Sequence, residues 1–229
     1  MPTTPSTQPA QAEVAPGILL DGRLALIHQE QKWLAVADTH YGYSFTMREA
    51  GGLFPLWGDH SLEERLSDLC RDHRPDTLII AGDLVHGRVK RDLFDAFLDH
   101  LQGLAPTLVL IRGNHDRSPT VRAAPFTDGH QENEFFFHHG HLEDLEIPPD
   151  SLEITGHWHP AARFRDGAGL SLKLPAFVQE PQRWILPAFS PWAGGTHWNL
   201  SSDQDETKRW ICSPQRVFPW ISGSGDVPP

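Results

Sequence analysis

The sequence predicts an α/β fold of the α+β sandwich type, with two packed, mixed β-sheets flanked by helices. Three observations lead there. Between Trp33 and Ile111 apolar runs alternate with amphipathic stretches in the order strand, helix, strand, helix, strand, the signature of an α/β layer. The apolar runs end abruptly in polar residues, at the strand C-termini where open α/β sheets place their sites. From Glu134 the pattern changes to short strands separated by Gly and Pro turns, as expected of a second, largely antiparallel sheet packed on the first.

Taken in order, Leu24–His28 and Trp33–Ala37 are short apolar runs joined by a polar turn and read as a strand pair. Tyr41–His60 is rich in Gly and aromatics and reads as a long loop, of a length that is often functional. Ser61-Leu-Glu-Glu64 has capping-box spacing and is expected to open a helix that carries Leu62, Leu66 and Leu69 on one face and stops before Pro75. Thr77–Ala81 is a buried strand. Asp92–Leu101 is helical, with Leu93, Phe94, Phe97, Leu98 and Leu101 inward, and Gly103 and Pro106 end it before the strand Thr107–Ile111. In the second half, Glu134–His138, Leu152–Thr155, Leu170–Leu174, Arg183–Leu186 and Lys208–Cys212 are the expected strands.

Residues 1–17 are rich in Pro, Thr, Gln and Ala and are expected to be a disordered tail. Residues 18–213 form one domain, and 214–229 make a second, partly disordered tail. The formal charge of -11 and a pI near 5.6 argue against wholesale electrostatic binding to nucleic acid or to an anionic membrane, although a bound metal reverses the sign locally. Two distant cysteines, Cys70 and Cys212, suggest neither a disulfide framework nor a zinc cluster and fit a reducing cytoplasm. No apolar run reaches the roughly 18 residues a membrane span needs, and no signal segment opens the chain, so no membrane partner is expected.

The chemistry lies where the strands end. LAVADTH closes on Asp38 and His40, TLIIAGDLVH on Asp83 and His86, and TLVLIRGNHD on Asn114 and His115. In the second half HHGH offers His139, and GHWH offers His157 and His159. Asp38 and His40, two apart at a strand end, are expected to point to the same side. Seven N and O donors without a thiolate suit Mn²⁺, Fe²⁺ or Zn²⁺ better than Ca²⁺ or Cu(I). They are too many for one ion and sufficient for two if one carboxylate bridges. That arrangement clamps the attacking and leaving oxygens of phosphoryl transfer around a shared hydroxide. Gly82, Gly113 and Gly156 would let the backbone approach the ions closely.

The ordered set D-x-H, G-D, G-N-H-D, H and G-H-x-H resembles the calcineurin-like metallophosphoesterases over about Val36 to Pro160. The resemblance implies a double β-sandwich. It implies Asp38, His40 and His159 on one ion, Asn114, His139 and His157 on the other, Asp83 bridging, and two divalent ions with Mn²⁺ foremost. It also implies that His115 is no ligand but the general acid at the leaving oxygen, and it selects His139 over His138 and His141 within HHGH. REAGGLFPLWG, GDLVHG and LPAFVQEPQRWILPAFSPWAGG resemble a narrower group, the ligase-associated DNA-repair phosphoesterases of bacteria and their archaeal relatives. That kinship implies a DNA or nucleotide phosphodiester as substrate, a ligase or helicase as partner, and a homodimer. His86 departs from the phosphoprotein phosphatases, which carry at that place an aspartate orienting the catalytic histidine.

Other groups have competing readings. Arg112 and Arg117 flank the G-N-H-D block and are candidates to hold phosphate, against the alternative of solvated arginines; His86 and His141 are further substrate-binding candidates. Asp116 reads as an orienting or turn residue rather than a ligand. Tyr41, Tyr43, Phe45, Phe54 and Trp57 either stack a nucleobase or anchor their loop. His28, His60, His73, His100, His130 and His197 sit in no motif and read as surface or satisfied residues. The leading function is a dinuclear phosphodiesterase or nuclease that works by in-line attack. A phosphomonoesterase or nucleotide-type pyrophosphatase is the alternative within enzymes, and a scaffold that has abandoned catalysis is the alternative outside them.

Overall fold

The computed structural model describes residues 10–55, 57–165, 171–197 and 206–220. One sheet has the spatial order β1 (Gln11–Ala15), β2 (Ile18–Asp21), β3 (Ala25–His28), β4 (Trp33–Val36), β5 (Thr77–Ala81), β6 (Thr107–Ile111) and β7 (Phe126–Thr127). It is antiparallel from β1 to β4 and parallel from β4 to β7. Its helices are α1 (Tyr43–Glu49), α2 (Trp57–His73), α3 (Arg91–Gln102) and the single turn α4 (Pro119–Arg122).

The second sheet is built from β8 (Gly129–Glu132), β9 (Phe135–His138), β10 (Leu152–Thr155), β11 (Pro160–Arg165), β12 (Ser171–Gln179), β13 (Arg183–Ile185), β14 (Thr196–His197), β15 (Lys208–Ser213) and β16 (Arg216–Pro219). The expectation that this sheet is largely antiparallel fails at its centre, where β10 runs parallel to both β9 and β13. Because β9 and β10 run the same way, both can present their C-terminal ends, with His138 and Thr155 in register, to one rim. The two sheets meet through edge-to-face aromatics. Trp33 of β4, fully buried, sits 5.2 Å from the ring of Phe135 and 5.1 Å from that of Phe137 on β9. The fold is thus two mixed sheets with helices flanking them, as the pattern predicted.

Four local expectations need correction. Residues 11–15 of the presumed tail form β1, because Val14 reaches the core and the Gln179 amide donates to the Val14 carbonyl at 3.3 Å. The C-terminal tail begins later than residue 213, since β16 pairs with β15. The stretch Tyr41–His60 is not all loop: Met47, Arg48 and Glu49 are good helix formers and the helix closes at Ala50, giving α1. The helix expected to open at Ser61 starts at Trp57 instead. The Ser61 hydroxyl donates one turn back to the Gly58 carbonyl at 2.9 Å rather than capping, and Asp59 in the first turn accepts the Gly42 N–H at 3.1 Å. Residues 1–9 and 221–229 of the expected tails, and Leu170 of an expected strand, lie outside the described residues.

Candidate metal centre

Four strand ends and two loops converge on the rim between β4, β5, β6 and β9. The backbone itself stitches them: Asp38 N–H donates to the Gly82 carbonyl at 3.1 Å and His40 N–H to the Asp83 carbonyl at 2.9 Å. His157 N–H donates to Asp38 Oδ2 at 3.0 Å, and His115 N–H to Asp83 Oδ1 at 2.8 Å. Each of these bonds ties a segment carrying one candidate ligand to a segment carrying another.

Asp38, His40, Asp83 and His159 each offer a donor atom within 4.8 Å of the others. His159 Nε2 lies 3.2 Å from Asp38 Oδ1, and His40 Nε2 lies 3.4 Å from His159 Nε2 and 3.9 Å from Asp83 Oδ2. Across Asp83 stands the second group. His139 Nε2 is 3.5 Å from Asp83 Oδ2 and 3.1 Å from Asn114 Oδ1, and the His157 ring is centred 4.9 Å from that of His139. Asp83 is therefore shared by both groups. His138, by contrast, ends β9 and pairs with Glu153 at 2.9 Å. Trp158 turns aside beneath the Arg183 guanidinium, 5.0 Å from its ring centre.

The convergence does not come from strand alternation, because Asp38 and His40 lie beyond the end of β4. Asp38, His40, Asp83, His157 and His159 all take left-handed backbone conformations, with φ of 56, 46, 46, 72 and 45°. Such conformations at non-glycine residues cost of order 1–3 kcal/mol each and gather where a site over-determines them. Gly82 has φ 89°, and a Cβ there would lie 2.0 Å from His139 Nδ1; at Gly113 it would lie 2.1 Å from the Asp83 nitrogen. Both glycines thus clear space for another segment's ligand side chain or its backbone.

The electrostatics call for cations. Burial pushes Asp83 up, but hydrogen bonding and charge from His139 and the His115 N–H overcome it, holding the carboxylate well below its usual range. Burial pushes His40 down to about 4, so its imidazole is neutral, the form a metal requires. Burial also works against charge on His139, yet Asp83 and Asp38 together raise it. His139 Nδ1 lies 3.1 Å from the Ala81 carbonyl; with the proton on that nitrogen, the Nε2 lone pair faces Asp83 and Asn114. The buried Nδ1 of His40 has no hydrogen-bond partner among the described residues. Imidazoles, carboxylates and one amide oxygen with no sulfur fit divalent ions of the Mn²⁺, Fe²⁺ or Zn²⁺ kind.

His115 is a partly exposed neighbour of this set, its Nε2 3.9 Å from Asp83 Oδ2 and its ring 5.2 Å from His40. His86 stacks on His115 at 5.2 Å and 23°, and burial, then the charge of His115, pushes His86 down. His141 flanks the opposite side, 5.1 Å from the His139 ring. Of the two arginines, Arg112 lies over the Phe126 ring at 5.2 Å with Asp128 at 3.8 Å, away from the cluster. Arg117 is exposed; burial first, then the charges of His139 and His157 and, least of all, that of Arg117 push His141 down. Asp116 is buried and accepts three backbone N–H groups. Tyr41 is an anchor, stacked on Phe97 at 3.9 Å, whereas Tyr43 lies 4.6 Å from His86 and leads to Phe54 and Trp192. Trp192 lies within the stretch LPAFVQEPQRWILPAFSPWAGG but was not singled out as a site residue, and Arg65, on the polar side of α2, was not singled out either.

A family model described as calcineurin-like phosphoesterase matches residues 32–185. The fold is similar to the crystal structure of Pseudomonas putida nuclease MPE, with a TM-score of 0.70 and 25% identity over 93% of this chain and 100% of that one. No curated protein matches the sequence.

Proposed function

The chain belongs to the calcineurin-like phosphoesterase family, and from that premise we propose that it is a dinuclear metal-dependent phosphodiesterase acting on nucleic acid. The observation that carries the reading is Asp83, buried between two groups of donors: Asp38, His40 and His159 on one side, Asn114, His139 and His157 on the other. When bound, two divalent ions, Mn²⁺ in this reading, supply a nucleophilic oxygen and neutralise the phosphoryl oxygens. The seven side chains hold that charge in place. Positioned beside Asp83 and open to solvent, His115 protonates the departing oxygen, and His86 stacked on it keeps its ring from turning away. His141, on the far flank, and the exposed Arg117, which follows the G-N-H-D block, orient the diester.

A nuclease of the same fold supports nucleic acid as substrate, and so does the chain of aromatics from Tyr43 to Trp192 and Trp57 that starts beside His86. The resemblance of the subgroup motifs supports a role in cytoplasmic DNA repair, with a ligase or helicase as partner and a homodimer as the working form. Among the described residues no helix is long and apolar enough to cross a membrane. The test is hydrolysis of bis-p-nitrophenyl phosphate, p-nitrophenyl phosphate and single-stranded DNA by metal-stripped protein resupplied with Mn²⁺. Diester and DNA cleavage should vanish in Asp83→Ala. His115→Ala should keep two ions and lose turnover by roughly 10²–10⁴-fold. Wild-type diester turnover in His115→Ala would remove the assigned acid, and a preference for the monoester would remove the substrate class.

A further inference from the structure

A cavity of about 430 Å³ opens on the outer side of His159, whose imidazole faces Asp38 in the metal centre. Among the described residues its charged side chains are cationic: Arg23, Arg65 and Lys173 reach it and no carboxylate does, while Ser190 and Ser213 add hydroxyls. In a chain of net charge -11 this is an unusual concentration of one sign. Arg23 is spoken for, since Asp21 and Asp72 lie 2.8 and 2.7 Å from it. The other two differ.

Arg65 projects from α2 and lies 3.8 Å over the Phe189 ring, donating Nη2 to the Phe189 carbonyl. Among the described residues its buried Nε has no hydrogen-bond partner and no carboxylate comes within ion-pair distance. Lys173, from β12, donates to the Gly195 carbonyl and likewise has no ion-pair partner among the described residues. A guanidinium carries five N–H donors and an ammonium three, so most of this donor capacity is unspent. Burial pushes Arg65 down to about 10, the expected response of a cation set among apolar groups with no counter-charge. The two cations hold carbonyls at the ends of the segment from Phe189 to Gly195, which includes Ser190, whose N–H donates to the Asp38 carbonyl at 3.0 Å, so one hydrogen bond ties the cavity wall to the metal centre.

We propose that this cavity is a second anion site that takes a phosphate adjoining the scissile one in a nucleotide or strand substrate. The proposal rests on the phosphodiesterase reading for what occupies the metal centre. Its apolar walls, Leu24, Leu174 and the prolines around them, suit the sugar that links the two phosphates. Arg65 forks onto phosphate oxygens in the bidentate way its geometry favours, and Lys173 adds a point charge from the facing wall.

The experiment uses the full chain loaded with Mn²⁺ and a phosphorothioate-linked thymidine dinucleotide, which resists hydrolysis, made with and without terminal phosphates. Affinity is measured by titration calorimetry. The terminally phosphorylated ligand should bind roughly tenfold more tightly, about 1.4 kcal/mol, and that ratio should fall toward one in Arg65→Gln and in Lys173→Gln. A general structural defect would weaken both ligands alike and leave the ratio intact. If Arg65→Gln does not fold, Lys173→Gln decides. A ratio near one in the wild type, or a tenfold ratio that survives substitution, overturns the site. Bis-p-nitrophenyl phosphate, which carries no second phosphate, separates the two claims. A preserved ratio without turnover on it rejects the phosphodiesterase and leaves the anion site. Turnover with a ratio of one does the reverse.

Discussion

Removing the Asp116 carboxylate should damage the site without touching a ligand. Asp116 is 1% exposed, and its oxygens accept the N–H groups of Gly113 at 2.9 Å, Val85 at 3.1 Å and Leu84 at 3.2 Å. It therefore fastens the segment after Asp83 to the segment before Asn114. In Asp116→Ala three buried donors lose their acceptor at once. Each unsatisfied group costs about 1–3 kcal/mol, so even with local relaxation the loss should be about 3–5 kcal/mol, a large part of a typical domain's stability. Asp116→Asn should lose roughly half as much, since its amide oxygen still accepts while its NH₂ faces a donor. Metal affinity should fall about 10–100-fold in the alanine variant, as when groups that orient metal ligands are removed. Urea denaturation in chelator gives the first number and metal titration the second. Asp95→Ala is the control. Its exposed pairing with Arg91 at 2.8 Å should be worth less than about 0.5 kcal/mol. An alanine variant at 116 within 1 kcal/mol of wild type, with unchanged metal affinity, would refute the idea that this carboxylate holds the two loops together.

Three further outcomes are expected. Gly82→Ala would put its Cβ 2.0 Å from His139 Nδ1 at a φ of 89°, so it should cost about 2 kcal/mol or more in thermal unfolding and lower the metal bound per chain below that of the wild type. Asp21 is buried, which pushes its carboxyl up, but hydrogen bonds from Arg23, His73 and Gln11 hold it well below the usual range. Its stabilising contribution is thus present above the unfolded value of about 3.9 and lost as pH falls below it. Asp21→Asn should cost about 3 kcal/mol near pH 7 and flatten the loss of stability between roughly pH 4 and 2, read from urea midpoints across that range. Burial pushes the Cys70 thiol up to about 11 and that of Cys212 up to about 12. Both should resist a disulfide reagent at pH 8 in the native protein and react, two per chain, in guanidinium; rapid reaction of the folded protein would contradict the packing around β15.

Much was legible because it depends on local pattern. The strands Thr77–Ala81 and Thr107–Ile111 stand where uninterrupted apolar runs put them, and α3 where its apolar face repeats. Errors fell where a segment's fate depends on distant partners. β1 orders only because the core and Gln179 receive it, and α1 is short enough that its aromatic, glycine-rich surroundings conceal it. The capping box at Ser61 is a real spacing, yet the helix runs through it from Trp57, with Asp59, two residues before Ser61, held by the Gly42 N–H.

By itself the sequence determined the layering of the fold and which donor side chains the chain carries behind its strands, since hydrophobic periodicity and residue chemistry are local properties. Only the tertiary structure decided how those donors meet. It put Asp83 between two groups, turned five of their residues into left-handed conformations, and set Asp116 across two loops. It also brought Arg65 and Lys173, 108 residues apart in the chain, to one cavity beside His159. Such meetings join residues far apart in the chain, and no short-range pattern carries them. Packing two sheets against each other brings their strand ends to a single rim, and the polar groups there are close because the core behind them allows no other arrangement.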